Sequence, residues 1–250
     1  KYKTLINVPI SIASSLAASS VPALTAAYTN GDQEKVRSQI NTAIRFIMVI
    51  AFPCAVGMGV LASPILQLLF HDSSELAAVM LQLGAVSILF FSLSTLSNGL
   101  LQGINRMHEP VKNALIALVL HIGLLIGLMY GFHLNIYAVV YANAFFGLLM
   151  CVLNAYSVKK YSGYKQEWKR TFLIPGLSAV VMGAAVWGAY KLTLYLFRVN
   201  ALATVIGILV GVCVYAVVLL LLYGMTEEEI RKFPKGYLLV RIAKKMHLLH

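Results

Sequence analysis

Charged residues are scarce in this sequence, and acidic ones most of all. Only 12% of the 250 residues are charged, and Asp and Glu together number nine, whereas soluble domains carry about 25% charged residues. Hydrophobic residues make up 60% of the chain, and the mean hydropathy is +0.81. A soluble domain of this length could not keep so much apolar surface out of water, which excludes that class.

Side chains that carry out catalysis are also scarce. None of the nine acidic residues lies deep within an apolar run, so paired carboxylates for intramembrane hydrolysis or a self-contained acidic ion site are not available. The three cysteines, Cys54, Cys151 and Cys213, are single and far apart, without disulfide or metal spacing. No Gly-rich phosphate loop is present either. The sequence predicts neither an enzyme nor a metal or cofactor site.

Long apolar runs dominate what is present. A membrane-spanning helix needs about 20 mostly apolar residues, and only helices or closed barrels satisfy their backbone in lipid. The runs are continuous rather than alternating, which favours helices. We therefore predict an all-α, polytopic transmembrane helix bundle of about seven spans. The predicted spans are 5–28, 42–70, 76–103, 113–131, 136–156, 171–196 and 201–223.

Positive charge is concentrated in every second gap between these spans. Sixteen of the 20 Lys and Arg residues lie near residues 29–45, 104–112 and 157–170 or after residue 223. The positive-inside rule places those segments in the cytoplasm, so residue 1 starts outside and the C-terminus lies inside. The net charge of +11 then reflects topology and contact with anionic membrane lipid. Nucleic-acid binding is not predicted.

Polar side chains recur along two of the spans. Asn7, Ser11 and Ser15 follow one another at four-residue steps in the first span, and Asn98 and Gln102 do so in the third. Residues at this spacing share one helix face. Such a face either packs against another helix or lines a watery substrate cavity. Both interpretations stay open.

Four further residues within the spans each allow two alternative roles, one structural and one functional. Pro53 and Pro64 should interrupt or kink the second span, since proline removes a backbone hydrogen bond; the kink is either static or lines a cavity. His121 is a candidate for proton coupling, or a neutral ring bonded to a backbone carbonyl. Arg45 either extends to the membrane surface or faces a cavity and meets an anionic headgroup.

Glycines spaced four residues apart occur in three spans. This spacing allows two helices to approach closely, so it predicts tight packing ridges rather than a function. The glycines are Gly99 and Gly103, Gly207 and Gly211, and Gly123, Gly127 and Gly131.

Several segments together resemble a known family. The Pro-bearing polar first span leads into the turn Asn30-Gly31-Asp32, and a run with spaced Gly and Pro extends from Pro53 to Phe70. The stretch from Leu96 to Ile122 continues the pattern. The chain resembles bacterial flippases of the MATE-like multidrug/oligosaccharidyl-lipid/polysaccharide superfamily. Within it, the similarity is to the polysaccharide-biosynthesis or stage V sporulation protein B-like group, which is related to lipid II flippases.

This resemblance implies an organisation of two six-helix lobes, to which some members add two helices. The chain, which begins without Met or a signal peptide, would be the C-terminal half of a fourteen-helix transporter, with a missing N-terminal lobe as partner. Residues 1–157 would form second-lobe helices, 158–170 a basic cytoplasmic loop and 171–223 the extra pair. Residues 224–250 would form a basic cytoplasmic tail.

The resemblance also implies an activity. Members move an undecaprenyl-type lipid-linked oligosaccharide or peptidoglycan precursor across the bacterial cytoplasmic membrane by alternating access, and cavity cations hold its anionic headgroup. The chain departs from the lipid II flippase pattern because its first span has no Lys or Arg between Lys3 and Lys35. Alternatives are a cation-coupled multidrug exporter, which would want an intramembrane acid, and a scaffold without transport. A membrane glycosyltransferase would need acids such as Asp72 and Glu75.

Overall fold

A computed structural model of the chain describes residues 2–71, 73–133 and 135–224, and the described residues form helices without any strand. Seven helical segments in this part of the chain are long and apolar enough to cross a membrane. The predicted all-α polytopic bundle is confirmed. Asp72 and the predicted tail from residue 225 onward lie outside the described residues. The helices are α1 (Tyr2–Thr29), α2 (Gln33–Val60), α3 (Ala62–Phe70), α4 (Glu75–Gly103), α5 (His108–Ile126), α6 (Asn135–Ser162), α7 (Ile174–Phe197) and α8 (Asn200–Leu221).

The second span begins earlier than hydropathy predicts. Helix α2 starts at Gln33 rather than at Thr42, because the side chain of Asp32 accepts a hydrogen bond from the Lys35 backbone N–H at 3.0 Å and caps the helix. The first turns of α2 are too polar for hydropathy to assign them to a membrane span, but their side chains Val36 and Ile40 are fully buried. This amphipathic extension therefore packs onto the bundle.

The same span is interrupted at Leu61, between α2 and α3. The Leu61 N–H donates to the Gly57 carbonyl at 2.9 Å, and the Ile65 N–H donates to the Leu61 carbonyl at 2.9 Å. Pro64 lies in the first turn of α3, where its missing N–H costs no helical hydrogen bond. Pro53 lies inside α2, which continues through it. The interruption therefore lies beside Pro64, and not at Pro53.

The described residues up to Gln166 form one compact unit around α4. Helix α4 contacts α1, α2, α3 and α6, and its Ile88 and Leu96 are completely buried. Helix α5 packs chiefly against α6 and leaves most of its apolar surface exposed. A π-helical turn, Gly127–Gly131, extends α5.

The end of α6 is fixed to α2. The Arg37 Nε donates to the Ser162 carbonyl at 3.2 Å, and the Tyr164 hydroxyl donates to Asn41 Oδ1 at 2.9 Å. Gly163 has φ +64°, and a Cβ atom there would lie 2.6 Å from Arg37 Nη2. The backbone conformation therefore favours glycine, and a side chain there would have to displace the Arg37 guanidinium.

The described residues from Glu167 onward form a second compact unit. Within it a π-helical turn, Lys169–Leu173, leads into α7, which packs along α8 as an antiparallel helix pair. At the turn between the two helices the Tyr190 hydroxyl donates to Asn200 Oδ1 at 3.0 Å. Close packing of α7 and α8 depends on Gly211, where a Cβ atom would lie 2.7 Å from Val186 Cγ2.

Glycine spacing predicts helix packing correctly in two of three places. A Cβ atom at Gly99 would lie 2.7 Å from Ala17 Cβ, so α1 and α4 approach closely there, as α7 and α8 do at Gly211. The prediction is wrong for Gly123, Gly127 and Gly131: among the described residues no neighbouring helix comes within 4 Å of a Cβ at these positions. They lie on the exposed side of α5 and its π-helical turn.

Candidate functional site

A cavity of about 250 Å³ opens between α1, α4 and α6 in the first unit. It lies near the first residues of α1 and α6, which the charge distribution predicts to be their outer ends, and reaches towards the middle of α4. Its walls are partly apolar and carry a small number of polar groups, as expected of a ligand site. The lining residues are Lys3, Ile6, Asn7, Ile10, Gly84, Ser87, Phe91, Val140 and Asn143.

The polar groups of this cavity come from all three helices. Lys3 and Asn7 share one face of α1 at a four-residue step, Ser87 comes from α4, and Asn143 comes from α6. The Ser87 hydroxyl donates to the Gly84 carbonyl and keeps its oxygen as an acceptor. An ammonium group, two carboxamides and a hydroxyl can together hold a ligand with an anionic part and hydroxyl or amide groups.

Of the three predicted cavity residues in the first span, the structure places one in this cavity. Asn7 lines it, whereas Ser11 and Ser15 lie outside its lining and are exposed. The Ser11 hydroxyl donates to the Val8 carbonyl at 2.7 Å, and that of Ser15 to the Ser11 carbonyl at 3.0 Å. These hydroxyls therefore bond to their own helix.

Asn98 belongs to a buried network of amides rather than to the cavity. The Asn154 side chain donates to Asn98 Oδ1 at 2.7 Å, and its own oxygen accepts from Asn113 Nδ2 at 2.9 Å. Asn113 also donates to the Ser157 hydroxyl at 3.1 Å. The network ties α4, α5 and α6 together. Gln102, which shares a face with Asn98, is exposed and lies outside both the cavity and this network.

Arg45 and His121 are both enclosed by protein to some degree. Because α2 begins at Gln33, Arg45 lies about 18 Å along the helix, where it is buried with 6% of its surface exposed. It does not extend to the surface of the described unit. The His121 Nδ1 lies 2.9 Å from the Ala142 carbonyl, and its ring meets that of Phe146 edge-on at 5.6 Å. The ring therefore bonds to a backbone carbonyl of α6, and a role of His121 in proton coupling stays a prediction.

Sequence reasoning missed several polar residues that the structure brings together. Lys3 precedes the predicted first span, yet it lines the cavity. Asn143 and Asn154 are isolated amides in a long apolar run, and Asn113 stands at the edge of another. The available signal was chemical, since an amide inside a membrane span is costly unless it is bonded or lines a cavity. Among the described residues no cluster of His, Cys, Asp or Glu could hold a metal ion.

Seven helices long and apolar enough to cross a membrane, with a cavity that carries polar groups among three of them, define a multi-pass helical membrane protein. Comparison with known proteins then gives the particular family. The model of the lipid II flippase MurJ family matches residues 3–207, and the chain belongs to that family. This confirms the predicted superfamily, a bacterial membrane location and a transporter rather than an enzyme family. The narrower stage V sporulation protein B-like assignment stays a prediction.

Two relatives show how much of such a protein the chain covers. It is 32% identical over 188 residues to the lipid II flippase MurJ of Bacillus subtilis (strain 168), which is 73% of the chain and 34% of the relative. It is 28% identical over 190 residues to the probable lipid II flippase MurJ of Bdellovibrio bacteriovorus, 73% of the chain and 35% of the relative. The chain thus spans about a third of the length of these curated relatives.

Proposed function

We propose that this chain forms part of a flippase that moves a lipid-linked peptidoglycan precursor across the bacterial cytoplasmic membrane by alternating access. The observation that carries the proposal is the cavity between α1, α4 and α6, which brings Lys3 and Asn7 of α1 together with Asn143 of α6. A lysine ammonium suits the anionic headgroup of such a precursor, and carboxamides suit its sugar and peptide groups. Lys3 would supply the cation that the rest of the first span lacks.

The chain would supply the second lobe of the transporter and the two additional helices. Seven spans followed by a basic segment support this assignment. The cavity, open at one side, would then be completed by the first lobe. In this arrangement the first residues of α1 face outward and the C-terminus lies in the cytoplasm.

The experiment is depletion of the full-length protein in its host, with complementation by variants. Lipid-linked cell-envelope precursors are followed on each leaflet. We expect depletion to trap precursor on the cytoplasmic side and the wild type to release it. The double variant Asn7→Leu/Asn143→Leu should restore flipping at least tenfold less than wild type, since each lost polar contact to the cargo weakens binding by roughly 1 kcal/mol or more.

The matched control is Asn7→Gln/Asn143→Gln, which keeps both carboxamides and should retain most of the transport. Membrane levels and thermal stability of both variants must equal those of the wild type. Release of precursor by the leucine variant at the wild-type rate would overturn the role of the cavity. Absence of trapping on depletion, with new sensitivity to cationic dyes, would replace the flippase by a drug exporter.

A further inference from the structure

Three cations, Arg106, Lys112 and Lys160, lie where α5 begins and α6 ends, and two of them contact the ring of Tyr161. The Arg106 Cζ lies 4.4 Å from the centre of the Tyr161 ring, and the Lys160 Nζ lies 5.3 Å from the same centre. Both distances are within the range of a cation–π contact. Arg106 and Lys160 are exposed, so their charges remain available to a ligand while the ring limits their motion.

Glu109 holds the ring and the third cation in place. Its Oε1 accepts a hydrogen bond from the Tyr161 hydroxyl at 3.2 Å and lies 3.3 Å from the Lys112 Nζ. The cluster thus contains three cations and one carboxylate, and it keeps a net positive charge. Arg106 precedes α5 and Lys160 lies in the last turn of α6, so the cluster joins two helices that pack together.

Apolar surface continues from this cluster along both helices. On α6, Val152 and Tyr156 precede Lys160 at four-residue steps and expose 56% and 66% of their surface. On α5, Val111 and Leu115 expose 60% and 59%. The cluster places positive charge at the ends of two helices, next to exposed apolar side chains. This arrangement is complementary to a membrane phospholipid, which has a charged headgroup and apolar acyl chains.

We propose that Arg106, Lys112 and Lys160 bind the headgroup phosphate of an anionic diacyl phospholipid of the inner leaflet. Its acyl chains would lie along the exposed faces of α5 and α6. Bulk phospholipid is favoured over the lipid-linked precursor because the cluster is far from the cavity. Asn143 and Lys160 are separated by 17 residues of one helix, which is about 25 Å. The site is independent of whether the protein transports a precursor.

The test is native mass spectrometry of the full-length protein titrated with dioleoyl-phosphatidylglycerol or dioleoyl-phosphatidylethanolamine. Wild-type protein should bind the anionic lipid more tightly than the zwitterionic one. The variant Arg106→Gln/Lys160→Gln should lower the affinity for phosphatidylglycerol roughly tenfold or more, since each cation near the membrane surface contributes appreciably. Arg106→Lys/Lys160→Arg should retain that affinity within about threefold, because it keeps both charges.

The matched control is Lys35→Gln/Lys165→Gln, which removes the same charge from two exposed positions elsewhere in the first unit. It should change the affinity less than about twofold, since these lysines are outside the cluster. If the control variant loses as much affinity for phosphatidylglycerol as Arg106→Gln/Lys160→Gln does, the binding reflects general attraction between basic residues and anionic lipid. That result would overturn the proposed site. Displacement of phosphatidylglycerol by undecaprenyl diphosphate, one for one, would assign the cluster to the precursor instead. If the glutamine pair fails to fold, the single Lys160→Gln variant is measured, and an unchanged affinity there also overturns the proposal.

Discussion

A single asparagine shows what sequence spacing can and cannot reveal at the scale of the residue. Asn154 is completely buried, and both ends of its carboxamide are bonded, to Asn98 on α4 and Asn113 on α5. Four-residue spacing suggested Asn98 and Gln102 as a pair, because periodicity identifies residues on one helix face. Periodicity carries no information about which other helix packs against that face. The partner of Asn98 is 56 residues away in sequence, so spacing within the third span could not identify it.

Two glycines with positive φ, Gly31 between α1 and α2 and Gly163 after α6, provide a prediction at the same scale. Gly31→Ala and Gly163→Ala both place a side chain at positive φ, +73° and +64°, which costs roughly 1–2 kcal/mol. At Gly31 no atom lies within 4 Å of the new Cβ, whereas at Gly163 it meets the Arg37 guanidinium. Displacing Arg37 from the Ser162 carbonyl should cost a further 1–3 kcal/mol or so. Thermal unfolding in detergent measures the difference.

A double-mutant cycle isolates the contribution of the guanidinium. In an Arg37→Ala background, Gly163→Ala should destabilise the protein no more than Gly31→Ala does. An excess cost that persists without Arg37 would assign it to the backbone rather than to this contact.

At the scale of the element, hydropathy predicts the number and type of helices well because apolar length is what the membrane demands. It predicts their ends less well, because those depend on single residues. The cap at Asp32 begins α2 before the apolar run starts, and Pro64 fits the first turn of a new helix after the break at Leu61. The predicted domain boundary at residue 157 falls inside α6, which continues to Ser162.

Two glycines give the prediction for helix packing. In Gly99→Ala the added methyl would lie 2.7 Å from Ala17 Cβ and 3.3 Å from Ala17 Cα. Because part of that contact is backbone, α1 must move away from α4, at a cost of roughly 1–3 kcal/mol. In Gly123→Ala the methyl meets no neighbour within 4 Å among the described residues, and helix propensity should stabilise α5 by about 0.5–1 kcal/mol. Unfolding in sodium dodecyl sulfate should separate the two variants, and equal stabilities would contradict the packing of α1 on α4.

At the scale of the whole molecule, the charge distribution predicts an orientation that can be measured directly. Ser73 lies in a predicted outer loop and Lys165 in a predicted cytoplasmic one, and both are exposed. After Cys54, Cys151 and Cys213 are replaced by alanine, Ser73→Cys should react with a membrane-impermeant maleimide in intact cells. Lys165→Cys should react only after permeabilisation. The opposite pattern would invert the topology, because the positive-inside rule alone assigns it.

The amide network also sets a requirement on how the protein is made. Asn98 is synthesised as part of α4, and Asn154, the hydrogen-bond partner of Asn98, is synthesised 56 residues later. At about 5–20 residues per second, that interval is roughly 3–11 s. During it the Asn98 carboxamide lacks this partner, and lipid offers it no hydrogen bond in exchange. Helices α4, α5 and α6 should therefore be retained together at the site of insertion until Asn154 arrives, and released into the bilayer as a group.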